Sequence, residues 1–144
     1  MKTRLRIAAT SLIASMALSG AACAGPATEM ANAHFSAIGA GSVDKIGENY
    51  SDTTVFEWVG GPLDGTYVGK DSIMPVWQKF TEAQGKLDAQ VTDLEESTNP
   101  AGATVTANVK FVGKNTVPVR YVLTYRGDRL VSETWQIDPK LGSK

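Results

Sequence analysis

The sequence holds one cysteine, one histidine and no excess of basic charge in its 144 residues. Cys23 lies near the N-terminus, so the rest of the chain has no disulfide, no thiolate nucleophile and no cysteine metal site. With His34 as the single imidazole, only an all-oxygen metal site could form, and no acidic loop has the spacing for one. No metal or other cofactor is therefore expected. Nucleophile elbow, phosphate loop and dinucleotide fingerprint are all missing. Fourteen basic residues stand against fifteen acidic ones without a basic cluster, which offers nucleic acid no surface. A stable membrane span is missing too: the longest apolar stretch, IAATSLIASMALSG, falls short of the roughly 20 strongly apolar residues a helix needs to cross a bilayer.

That apolar stretch follows Lys2, Arg4 and Arg6 and ends in the small residues AACAG. Basic start, apolar middle and small-residue end are the three parts of a secretory signal, here residues 1–24. Ala22-Cys23-Ala24 fits cleavage after Ala24 and a soluble product in the periplasm or outside the cell. Cys23 offers the alternative of lipidation, but Gly20 stands where a lipoprotein motif carries Leu. Without its three leading basic residues the chain carries a net charge of −4, an ordinary solubilising charge.

Residues 25–144 read as one domain with a single core. From Ala27 to about Ala40 the period is helical, with Ala27, Met30, Ala31, His34 and Ile38 on one face. Gly39 and Gly41 end this helix. Ser42 can cap the next, whose buried side is Val43, Ile46 and Tyr50. TTVFEWVGG reads as a strand that separates Val55, Glu57 and Val59 from Phe56 and Trp58, so Glu57 interrupts an apolar row. Thr66 to Val68 is a short strand. A third helix starts at Asp71 or Ser72, with Ile73, Trp77 and Phe80 as its stripe and Pro75 near its start.

The rest alternates as strands do: Leu87, Ala89 and Val91, then Ala103 to Phe111, then Val117 to Tyr125. A turn at Arg126-Gly127-Asp128 leads back through Leu130 to Ile137. Three helices followed by long strands are an α+β arrangement, a curved antiparallel sheet with helices over its concave face and a cavity between them. Glu133 and Arg120 read as a solvated cross-strand pair. Trp58, Tyr67, Trp77, Tyr125 and Trp135 either line a pocket for a flat apolar ligand or fill the core and cover the sheet against a partner.

The stretch HFSAIGAGSVDKIGENYSDTTVFEWVGGPLDGTYVGKDSIMPVWQKF resembles the first half of the nuclear-transport-factor-like superfamily, especially its SnoaL-like and ketosteroid-isomerase-like members. The landmarks are Asp44 and Ile46, Tyr50 and Asp52, Gly65 and Gly69, then Ile73 and Phe80. The resemblance implies a cone-shaped α+β barrel with a pocket at its open end, lined here by Tyr50, Trp58, Trp77, Val119 and Trp135. It also places Glu57 at the isomerase's proton-moving carboxylate, and His34 and Tyr121 at its two oxyanion donors. None of the three is the isomerase's own residue type. The chemistry implied is enolisation of a small apolar or carbonyl-bearing ligand: isomerisation, cyclisation or dehydration. The contrasting expectation is a non-catalytic association module that forms a homodimer or docks a partner through its sheet. On the bland reading Glu57 and His34 simply pair with each other or with backbone groups.

Overall fold

The computed structural model describes residues 25–142. The signal segment, with Cys23 and Ala24, lies outside the described residues. Pro26 opens the first helix, α1 (Pro26–Ala40), at the position where a missing backbone donor costs nothing. Gly41, at φ 69°, closes it in the left-handed conformation that glycine takes without strain, and Ser42 N donates to Ala37 O. The second helix is a single turn, α2 (Val43–Ile46), shorter than the spacing suggests; Tyr50 follows it in a loop and is still buried. Then come β1 (Val55–Val59), β2 (Gly65–Val68) and α3 (Lys70–Gln84). Helix α3 begins earlier than expected, so Pro75 sits in its second turn. There it is solvent-exposed, and the carbonyl it leaves unbonded, on Asp71, is at the surface as well.

Four strands complete the chain: β3 (Asp88–Asn99), β4 (Gly102–Val112), β5 (Thr116–Arg126) and β6 (Arg129–Ile137), followed by a 3₁₀ turn over Pro139–Gly142. They form one six-stranded sheet in the order β2-β1-β6-β5-β4-β3. All pairs are antiparallel except β1 with β6, which run parallel and join the N-terminal hairpin to the rest. The helices cover the concave face, and the sheet does not close, giving the expected cone.

Two bulges set which side chains point inward. In β6 the register passes from Leu130, opposite Tyr125, to Ser132, opposite Thr124, so Val131 is an extra residue. Strict alternation from Leu130 would turn Ser132 and Thr134 inward; the extra residue turns Glu133 and Trp135 inward instead. In β3 the register slips between Thr92 and Glu95, with Asp93 at φ 51°, which moves the inward row from Ala89 and Val91 to Leu94 and Glu96.

The expected cavity is largely filled. Trp58, Trp77, Phe80, Phe111 and Trp135 pack into one aromatic layer, with Trp135 stacked on Trp58 at 4.5 Å and on Phe111 at 5.2 Å between centroids. Rings of this size supply most of the apolar area that holds helices to sheet.

Candidate functional site

On one side of that layer lies a buried polar cluster centred on Glu133, whose side chain is fully buried. His34 projects from α1 and places Nε2 2.8 Å from Glu133 Oε2. Tyr121, on β5, donates its hydroxyl to the same oxygen at 2.8 Å. Tyr50 donates to the other oxygen, Oε1. Because Trp77 Nε1 donates to the Tyr50 oxygen at 2.8 Å, the Tyr50 proton is left for Glu133. Two elements, α1 and β5, and one loop thus converge on a carboxyl group carried by β6.

The loop is stitched in place from both sides. Thr54 Oγ1 donates to Leu130 O at 2.9 Å and accepts from Ser51 N at 2.8 Å, while Leu130 N donates to Asn49 O. Those bonds fix the start of β6 against residues 49–54, and hence Tyr50 against Glu133. Burial, and after it the Glu133 carboxyl, push the Tyr50 and Tyr121 hydroxyls well above the ordinary tyrosine value. Burial and Glu133 act in the same direction on Tyr125, whose buried hydroxyl has no hydrogen-bond partner.

The structure therefore brings His34, Tyr50 and Tyr121 together, but around Glu133. Glu57 is not among them. It lies half-buried on the opposite face of β1 from Phe56 and Trp58, and its Oε2 accepts from Thr66 Oγ1 of β2 at 2.7 Å. Glu57 and His34 do not pair. The cross-strand pairing of Glu133 with Arg120 is corrected as well: Glu133 stands opposite Leu123, and Arg120 Nε bonds Asp138 Oδ2 at 2.6 Å. That bond holds the Asp138 carboxyl below its usual range. Glu133 was hidden in the sequence because the Val131 bulge reverses the strand's phase; the odd residue out between Leu130 and Trp135 was the only signal.

Of the aromatic and apolar residues assigned to a pocket, Trp77, Val119 and Trp135 are core, and Tyr50 belongs to the cluster. Trp58 lines a pocket of about 310 Å³ at the other side of the aromatic layer, together with Leu63, Phe80, Val117 and Ile137, with Lys79 at its edge. Its loop wall is braced by Gly60 N to Asp64 Oδ1 at 2.7 Å and Tyr67 Oη to Leu63 O at 2.7 Å. Glu133 and Ile137 are four residues apart on β6, roughly 13 Å along a strand.

The sequence that builds this cone has a counterpart among known families: residues 31–132, more than half of the chain, match the SnoaL-like domain. The chain belongs to that family. The SnoaL-like domain shares its fold with many solved structures. One is a candidate SnoaL-like polyketide cyclase from Shewanella denitrificans, with 19% identity over 83% of this chain and 96% of that one and a TM-score of 0.61. Another is a candidate dehydratase of the NTF2-like family from Streptomyces avermitilis, 13% identical over 78% and 93%, TM-score 0.62. A third, from Thiobacillus denitrificans, is a candidate calcium/calmodulin-dependent protein kinase type II association domain, 17% identical over 78% and 94%, TM-score 0.62. No curated protein matches this chain in sequence. Among its described residues no helix is long and apolar enough to cross a membrane.

Proposed function

We propose that this SnoaL-like domain is an exported small-molecule-binding protein that takes an apolar, carbonyl-bearing ligand into its cone, with Glu133 and His34 as the proton-transfer pair. The observation that carries this reading is the fully buried Glu133 carboxyl, held by His34, Tyr50 and Tyr121. Burying an ionisable group is costly unless partners compensate it, and here two hydroxyl donors and an imidazole are spent on one carboxyl. Such an arrangement has the parts of an enolising site: a carboxyl to take a proton, an imidazole beside it, and hydroxyls kept protonated by their raised pKa to donate to a developing oxyanion.

A ligand would first meet the pocket of Trp58, Leu63, Phe80 and Ile137, and would reach Glu133 only when the aromatic layer moves aside. The export part of the reading rests on Lys2, Arg4, Arg6, the apolar run and AACAG. The test is hydrogen–deuterium exchange next to the carbonyl of α-tetralone, a flat apolar ketone, followed by NMR in heavy water. Wild type accelerates the exchange, and Glu133→Gln loses about 100-fold of that acceleration, the scale of a general base. Equal exchange by wild type and variant would remove Glu133 from the chemistry.

A second reading is favoured by the outer face of the sheet. Thr104 and Thr106 of β4, Val122 and Thr124 of β5 and Ser132 and Thr134 of β6 form an uncharged strip on which Val122 is exposed, flanked by Glu57 beside Thr134 and Glu95 beside Thr106. Such a face suits a second copy of the chain, and the fold is shared with a candidate association domain.

A further inference from the structure

Helix α1 has no cap of its own. Gly25 holds the N-cap position with no side chain to offer. The cap comes from 68 residues away in the chain: Glu96 Oε2, on β3, accepts from Thr28 N at 3.0 Å and from Thr28 Oγ1 at 2.6 Å. Glu96 faces α1 because of the bulge at Thr92 to Glu95; without it the inward row would fall on Asp93 and Glu95.

The same carboxyl lies directly over Gly25. A Cβ at that residue would stand 2.3 Å from Glu96 Oε2 and 2.5 Å from Oε1, so glycine is the residue that lets the clamp close. Covalent geometry then places the Gly25 nitrogen within about 5 Å of the carboxyl oxygens. Two further carboxylates line this end, Glu29 on α1 itself and Asp128 in the turn between β5 and β6, beside one basic group, Arg126. The neighbouring Arg126 donates to Ala101 O. A positive charge at a helix start is ordinarily unfavourable, but here it would lie beside the Glu96 carboxyl.

We propose that Gly25 is the first residue of the mature protein and that Glu96 is the receptor for its α-ammonium group. The proposal rests on the export reading above, with its cut after Ala24, and adds the structural consequence of that cut. Hydrolysis of the Ala24–Gly25 bond consumes one water and leaves a carboxylate on Ala24 and an ammonium on Gly25. Cleavage thereby converts a neutral amide beside Glu96 into its counter-ion and completes the clamp that ties α1, with His34, to the sheet.

The experiment expresses the full chain in an exporting bacterial host and reads the product by intact mass and N-terminal sequencing. The expected start is Gly25. A lipid-modified Cys23 at the start, an uncleaved chain, or cleavage at another bond overturns the proposal. For the ion pair, the Gly25 product, its Glu96→Gln variant and a chain beginning at Ala24 are melted between about pH 6.5 and pH 9.5, spanning the ordinary α-amino value of about 8. An ammonium that gains a partner has its folded pKa raised, so its stabilisation is complete below the unfolded value and fades as pH rises through the folded one. The wild-type advantage over both comparison chains should therefore be about 2 °C larger at the acid end than at the alkaline end. The Ala24-start chain keeps Glu96 and reads the pair even if Glu96→Gln folds poorly. A start at Gly25 with a pH-independent gap overturns the ion pair alone, and neither result bears on proton transfer at Glu133.

Discussion

At Glu133 two hydroxyls and an imidazole converge on one carboxyl, so its removal strands them together. Glu133→Ala should cost about 3–5 kcal/mol, the scale for leaving several buried polar groups without their shared partner, measurable by urea unfolding. The tyrosines divide by what their hydroxyls touch. Tyr121→Phe removes a donor from Glu133 and should destabilise by about 1–2 kcal/mol, whereas Tyr125→Phe removes a buried hydroxyl that bonds nothing and should be neutral or stabilising. Alkali reads the same environment. Tyr50, Tyr121 and Tyr125 all have hydroxyls raised above the ordinary value of 10.0. A raised pKa means their protonated form stabilises the fold below about pH 10, and that contribution is lost as pH climbs past it. Their ionisation, followed by ultraviolet absorbance, should coincide with unfolding rather than precede it.

At the scale of elements, the connection into α3 is set by Gly69, at φ 84°, whose Cβ would meet Asp52 O at 2.8 Å. Its N–H donates to Thr54 O, in the loop that carries Tyr50. Gly69→Ala should lower stability by about 2 kcal/mol or more and loosen Tyr50 with it, visible as faster amide exchange over residues 49–54. The elements themselves were legible in the chain, because β4 and β5 alternate cleanly and α1 and α3 carry apolar stripes at helical spacing. Glu57 followed the same alternation, which separates two faces without saying which is inward; Phe56 and Trp58 took the interior because they bury more apolar area. Glu133 was out of reach for a different reason. A bulge is one residue with no composition of its own, and Val131 looks like any strand valine.

At the scale of the whole molecule, the fold and family are fixed, and the outer face of the sheet is the surface on which the proposed association would act. The uncharged outer patch around Val122 predicts self-association: wild type should sediment as a dimer, and Val122→Lys, which leaves the concave face untouched, should sediment as a monomer. The order of the strands has a consequence in time. The β1–β2 hairpin meets the rest of the sheet only through β6, the last strand made among those described. Until β6 arrives, the two parts of the sheet have no common neighbour, and His34, Tyr50 and Tyr121 have no carboxyl to bind. Folding is thereby held back until translation has delivered nearly the whole domain, as its long-range pairings also require. A chain halted after Arg126 should stay unfolded by near-ultraviolet circular dichroism. Under the export proposed above, in which the chain would cross a membrane extended, placing the keystone strand last would keep the polypeptide passable until it has somewhere to fold.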